Sequence, residues 1–458
     1  MADLFGSLTS AARALQAQQT GLDVVGQNIA NVNTAGYTRR QVDLSAIAPA
    51  DRWSAGGGVE VSDIRATRDQ FLERRLRLER PAEGRESALA DTLSVVEAAL
   101  GTSGSSIDGS LDDFFDAWSN LAQDPTSSTM RQSVIVQASS LATSFNDMAA
   151  RFNDVRKQAD DGVRGAVDDI NQLVTRIAAL NDSIAKAGGT GPMSASLQDQ
   201  QNEAVKSLSE LVDVDVLQNK TGGVDVSFAN GRPLVIGVTA YGIEVGARTD
   251  GMATLSSGGT DVTSEISGGR LAGLIDARDV MVPKYLGQLD TIAFTLAQQV
   301  NTLHASGYDL DGNAGGTVFQ PLASSAGAAA ALKVDPALVA NPRLIAAAST
   351  PAAGDNGVAR KLAGLRDARV FNGTGTFNDA WADLTYSVGQ DAATAVAEQK
   401  SRQEIVTQVE SLRDAVSGVS LDEEAMMMMK FQRAYEANAR FFATIDSAIS
   451  TLLNMVGN

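Results

Sequence analysis

The sequence predicts a mainly α-helical protein with an inserted β domain, in which the N- and C-terminal helices pair as a coiled coil. Three observations carry that prediction. Apolar residues recur at every seventh position at both ends of the 458-residue chain, helical periodicity runs on from about Ser128 to Ala187, and the stretch 213–265 alternates in steps of two. A seven-residue apolar repeat keeps one seam of a helix facing a partner helix, whereas alternation in twos belongs to a half-buried strand.

The last stretch has the clearest period. Leu421, Met428, Tyr435, Phe442, Ile449 and Val456 form one seven-spaced row, with Phe431, Ile445 and Leu452 filling in between. Gly418 breaks what precedes, Ser420 is placed to cap orphan amides, and Glu423 completes a capping box. At 1.5 Å rise per residue such a helix spans roughly 50 Å, longer than a small domain is wide. The row therefore needs a long partner. Leu8, Leu15, Leu22 and Ile29 repeat at the same spacing at the other end, with Phe5 and Ala12 beside them. Two helices docked separately on a globular core would show the same rows. Chain ends are usually the least ordered part of a domain unless tied down, so the expectation is that the Leu8, Leu15, Leu22, Ile29 row packs against Met428, Tyr435, Phe442 and Ile449 and against neighbouring subunits.

Between the ends, three asparagines and Gly36 cluster over Asn28–Tyr37, where a helix should stop. Val42–Leu44 and Val59–Ile64 alternate as short strands around Gly56–Gly58. Helix follows from Asp69, carrying Leu72, Leu76, Leu89, Leu93, Val96 and Leu100, with Pro81 expected to kink or divide it. Gly101–Ser106 reads as a connector, and Leu111, Phe114, Phe115, Trp118 and Leu121 mark a short helix ended by Asp124-Pro125. The Ser128–Ala187 pattern is the longest, a length typical of rods and bundles.

Gly188–Pro192 ends that pattern. A helix with Leu197, Ala204, Leu208 and Leu211 then gives way to alternating runs, Val212–Val216, Val224–Phe228, Leu234–Val238 and Tyr241–Val245, separated by Thr221-Gly222-Gly223 and Asn230-Gly231. Helix returns with Leu271, Leu274 and Ile275, bends near Pro283 and continues to Leu303. The Ala-rich stretch 326–331 and the turns Asp335-Pro336 and Asn341-Pro342 read as small-residue packing or surface loop, and a last helical region covers about 377–416. The expected division is a terminal coiled coil from 1–42 and 418–458, a helical bundle from 43–212 and 266–417, and the inserted β domain at 213–265.

Composition narrows the function. Thirty-seven basic against 55 acidic residues give a net charge of −18, which repels phosphate backbones and anionic bilayers, so neither nucleic acid nor membrane is an expected partner. No cysteine means no disulfide, thiolate nucleophile or zinc–thiolate site. No run approaches the about eighteen apolar residues of a membrane helix, and Asp3 without a basic cluster argues against a Sec signal. The only histidine, His304, has no second His or Cys beside it and reads as structural or capping. Asp309, Asp311 and Asn313 imitate the start of a calcium loop, but Ala314 and Gln320 replace its Gly and closing Glu, so a plain turn is the better reading. The glycine pairs lack nucleotide-binding spacing, and the acidic pairs sit among helical charges. No catalytic, cofactor or metal site is expected.

The run from Gly21 through Asn28, Asn31, Thr34, Gly36 and Tyr37 to Arg39 resembles the N-terminal signature of bacterial flagellar axial proteins, the rod, hook and hook-associated family. Three further stretches resemble the hook-associated branch that joins hook to filament. They are Ser196–Gln201 with Leu208–Val214; Gly268–Leu274 with Arg278, Asp279, Asn301, His304 and Gly307–Asp309; and Val416–Glu424 with Gln432, Tyr435 and Ala439. The resemblance covers essentially the whole chain, with two departures. Met426–Met429 stands where the family usually holds an asparagine and mixed aliphatics, and the chain looks short for a second outer β domain.

The resemblance implies a structural subunit of the extracellular flagellum, exported without a cleaved Sec signal and assembling with copies of itself into a tubular layer. Its implied partners are the hook protein, the next hook-associated protein and an export chaperone on the C-terminal helix. Four successive methionines cover every side of a helix, as filler in a crowded contact or as an adaptable docking surface for that chaperone. The alternatives are another axial subunit of hook, rod or filament, a peptidoglycan hydrolase of rod assembly, and a soluble helical adhesin.

Overall fold

The computed structural model describes residues 2–34, 36–48, 57–101, 106–188, 192–228, 230–352 and 354–456. Most of the expected connector, 102–105, and part of the break at 189–191 lie outside these residues, as do Gly56 and the side chains of Phe5 and Val456. The chain opens with α1 (Ala2–Ala30) and an antiparallel hairpin of β1 (Arg40–Ala46) and β2 (Val59–Ala66). Next comes α2 (Gln70–Leu100), capped by the Asp69 carboxylate, which accepts from the N–H groups of Phe71 and Leu72. Pro81 does not divide α2 as expected. Its ring is buried against Gly268, and that packing offsets the one backbone hydrogen bond a proline removes.

Three more helices follow, α3 (Ile107–Gln123), α4 (Ser128–Lys186) and α5 (Pro192–Leu211). α4 is the spine, because its two halves serve two different cores. Val134, Leu141, Phe145 and Phe152 of its first half meet Phe114, Trp118, Tyr285, Phe319, Phe377 and Trp381 in a largely apolar interior. Val163, Val167, Ile170, Val174 and Ile177 of its second half carry the β insert.

That insert holds a four-stranded sheet, β3 (Val214–Gln218), β4 (Val224–Phe228), β5 (Pro233–Ile236) and β6 (Thr239–Ala240), and a three-stranded one, β7 (Glu244–Ala247), β8 (Ala253–Ser257) and β9 (Thr260–Asp261). β8 and β9 were not legible as strands, being short and rich in Ser and Thr, although Ala253 and Leu255 of β8 point inward. Two α4 asparagines attach the sheets by imitating a strand edge. Asn181 accepts from the Val224 N–H at 2.9 Å and donates to the Val224 carbonyl at 2.7 Å, and Asn171 does the same to Ile243 at 2.8 and 2.9 Å.

After the insert, α6 (Gly269–Asp276) leads through a π-helical turn, Ala277–Met281, into α7 (Val282–Ala305). This turn lies just before Pro283, and Arg278 within it is turned into the interior. Fully buried, Arg278 donates to Asp160 Oδ1 at 2.6 Å, to the Ala253 carbonyl at 2.9 Å and to Asp279 Oδ2 at 2.6 Å, fastening β8 to α4. The short helices α8 (Ala328–Ala331), α9 (Pro336–Ala340) and α10 (Gly357–Ala363) close the first core. α11 (Phe377–Ser417), begun by a Thr376–Asp379 capping box, runs back along α2, and α12 (Leu421–Val456) packs on α1.

Candidate assembly site at the joined chain ends

α1 and α12 lie antiparallel. Asn28 meets Glu424 and Gly21 meets Phe431, one heptad apart on each helix and in opposite directions. A Cβ on Gly21 would sit 2.6 Å from the Phe431 ring, so only glycine allows this approach without moving the ring. The buried line along α1 is Ala11, Ala17, Gly21, Val24, Val25 and Asn28, and on α12 it is Glu424, Phe431 and Ile445.

The expected seam is corrected by this geometry. Leu8, Leu15, Leu22 and Ile29 are half-buried on the flank of the pair, as are Met428, Phe442 and Ile449, while Tyr435 is 38 % exposed. The centre is displaced because two of its positions are polar and one is glycine, and a count of apolar residues passes over all three.

The motif after α1 forms a knot of hydrogen bonds that seals the open end of the pair. The Asn28 side-chain oxygen accepts from the Arg40 N–H at 3.0 Å and from the Tyr37 hydroxyl at 2.8 Å. Its amide donates to the Arg40 carbonyl at 2.9 Å and to Glu424 Oε2 at 3.0 Å. Every hydrogen-bonding position of a fully buried amide is used, the condition under which such a group specifies a fold. Asn31 donates to the Gln27 carbonyl, Thr34 donates to Asn31, and Gly36 takes φ +76°, a left-handed turn that favours glycine. Burial raises the Tyr37 hydroxyl above its usual value, with the Arg40 guanidinium opposing from 5.2 Å over the ring.

Ionic contacts extend the knot in two directions. Arg39 donates to Glu424 at 2.7 Å and to Glu423 at 2.6 Å, tying the end of the N-terminal motif to the first turn of α12. Arg40 and Arg68 hold Asp199 of α5 at 3.2 and 2.5 Å, tying the same motif to the body. Glu424 is 1 % exposed, so removing these partners would leave a buried carboxyl group unpaired. In the sequence Arg39 and Asp199 belong to the family resemblance without a role, and the pair Glu423/Glu424 reads as a solvated face or helix start; Glu424 does lie in the first turn of α12, but it is buried rather than solvated. The available signal was a pair of arginines directly after a helix-stop motif, with conspicuous acids far along the chain.

Along α12 a second face stays open. Met426 and Met429 are 60 % and 51 % exposed, Met427 and Met428 are half-buried, and Phe441, Leu452 and Met455 face outward. The other candidate residues are structural. His304 is buried, with Nδ1 bonded to the Gly316 carbonyl and Nε2 accepting from the Ala346 N–H, and burial lowers its imidazole below the usual value. Asp309 accepts from the N–H groups of Asp311 and Asn313 in a tight turn, and Asp311 pairs with Arg343. Among the described residues no His, Asp and Glu cluster is arranged to hold a metal.

Comparison with known proteins agrees along the whole chain. The flagellar hook-associated protein FlgK helical domain family matches residues 93–319, the flagella basal body rod protein family matches 8–38, and the flagellar basal body rod FlgEFG C-terminal family matches 414–455. Flagellar hook-associated protein 1 of Bacillus subtilis is 29 % identical, covering 100 % of this chain and 99 % of the relative. The Escherichia coli protein of the same name is 26 % identical over 98 % and 99 %. The flagellar hook junction protein FlgK from Burkholderia pseudomallei shares the fold, with a TM-score of 0.68 at 17 % identity, covering 75 % of this chain and all of that one. Along its whole length the chain is similar to flagellar hook-associated protein 1.

Proposed function

We infer that the protein is a structural component of the bacterial flagellum that joins hook to filament by assembling into one layer of the axial tube. The observation that carries this is the α1–α12 pair, which closes a polar knot at one end and leaves an apolar face open along its length. Its proposed action is mechanical. Leu8, Leu15, Leu22 and Ile29, together with Tyr435, Phe441 and the other outward residues of α12, are covered by the same pair in neighbouring copies. Residues 1–42 and 418–458 form the innermost layer, 43–212 and 266–417 the next, and 213–265 face outward. The surface below meets the hook protein and the surface above meets the next hook-associated protein.

Export precedes assembly in this reading. A chaperone covers Met426–Met429 until the chain leaves the cell, since methionine side chains adapt to more than one partner. The test is electron microscopy of cells lacking the protein. Hooks without filaments, with filament subunit lost to the medium, are the expected result, and normal filaments would refute the junction role.

A further inference from the structure

Two cavities, of about 440 and 540 Å³, meet behind the turn that follows α1. Arg68, Glu73, Arg77, Asn202 and Val205 belong to both, so together they make one polar cleft between the terminal pair and the body. Most charges along it are already matched. Arg68 binds Asp199, Arg80 binds Glu210 and Glu410, and Arg413 binds Asp414.

Glu73 has no such partner among the described residues, and neither does Arg77. Half-buried between the two cavities, it makes no hydrogen bond or ion pair with any described residue, and Glu73 one turn back acts on it only through space. Burial holds its guanidinium below the usual value, the direction expected of a cation short of partners. Across the first cavity the Ser417 hydroxyl is buried with no partner, and in the second the Ser194 hydroxyl is in the same condition. Lys206 reaches its nearest carboxylates, Glu203 and Glu410, only at 3.9 and 3.8 Å.

We propose that this cleft is an oxyanion-binding site, with Arg77 as its two-pronged receptor and Lys206 as a supporting donor. A guanidinium offers donors and no acceptor, in a fork that matches two oxygens of a carboxylate or phosphate. The volume suits a small anion or a short acidic segment. Either a free anion or an acidic side chain of a second copy supplies that chemistry, and with 55 acidic residues the chain has many to offer. The second source rests on the assembly reading above. An anion held here would bridge α2 and α5 beside the α11–α12 junction.

The test uses the full chain as wild type, Arg77→Gln and Lys206→Gln, titrated calorimetrically with inorganic phosphate and with glutarate at constant ionic strength, and assayed separately for self-association in phosphate-free buffer. Wild-type binding that weakens at least tenfold in Arg77→Gln, and less in Lys206→Gln, identifies a free anion. No binding by the wild type, but at least tenfold weaker self-association of Arg77→Gln with an unchanged unfolding midpoint, identifies a carboxylate of a second copy. Indistinguishable wild type and Arg77→Gln in both assays would overturn the proposal. Should the Gln variant not fold, Arg77→Lys takes its place, which keeps the charge and loses the fork, with the same outcomes read from it. Failure here leaves the junction role standing, whereas normal filaments in cells without the protein would leave the titration unchanged.

Discussion

Helix α4 in the body and helix α12 at the chain end both carry apolar rows at seven-residue spacing, yet they complete those rows differently. α4 buries Val134, Leu141, Phe145, Met148, Phe152 and Val155 in one continuous line, and its second half buries Val163, Ile170 and Ile177 under the β insert. α12 buries Phe431 and Ile445 beside the charged Glu424, and leaves Leu421, Met426, Tyr435, Phe441 and Leu452 exposed. The same period thus serves two ends. Where the other elements of the chain supply a complete cover, the row becomes core. Where only one partner helix is present, half of it remains a surface, and large exposed apolar faces mark interaction sites.

The sharpest way to break this contrast is to truncate a side chain in each region and compare unfolding. Phe145→Ala should cost about 3–5 kcal/mol in urea denaturation, the range for removing a fully buried aromatic. A cost under about 1 kcal/mol would mean that the body core is not the stable unit. Glu424→Ala removes the shared acceptor of Asn28 and Arg39 and should cost about 1.5–3 kcal/mol, confined to the terminal pair and read as faster amide exchange in α1 and α12 with the body unchanged. Uniformly faster exchange would show that the pair and the body unfold together.

Smaller effects sharpen the comparison. Gly21→Ala presses a methyl into the Phe431 ring and should cost about 1–3 kcal/mol, again within the pair. Acid should act on the body through His304. Its folded value lies below the ordinary 6.5, so its neutral form contributes stability at pH 7 that is lost as the pH falls below that value, at up to about 1.4 kcal/mol per pH unit. Replacing His304 with Gln should flatten that slope between pH 7 and 5. Phe441→Ala, at a position 53 % exposed, should change monomer stability by less than about 0.5 kcal/mol while weakening assembly, measured by sedimentation of polymer.

Much of this architecture was readable in advance, and the exceptions share a cause. Apolar period placed helices over about Ser128–Ala187, about 377–416 and Leu421–Val456, where α4, α11 and α12 run, because long helices reveal themselves by repetition. It did not locate the contact line between α1 and α12. Period alone cannot choose between adjacent stripes of one helix, and the chosen stripe runs through Gly21, Asn28 and Glu424. The Asn28 knot was visible as a motif but not as a set of bonds, since its partners Arg40, Asp199 and Glu424 converge only in the folded chain. β8 escaped notice for the opposite reason, its inward positions being too few to show a period.

Amide hydrogen exchange compared residue by residue between the monomeric chain and the assembled tube tests the central claim most directly. The account predicts that α1 and α12 gain strong protection on assembly while the first half of α4, already covered, changes little. Equal protection of both chain ends in monomer and tube, or ends that stay unprotected within the tube, would contradict it.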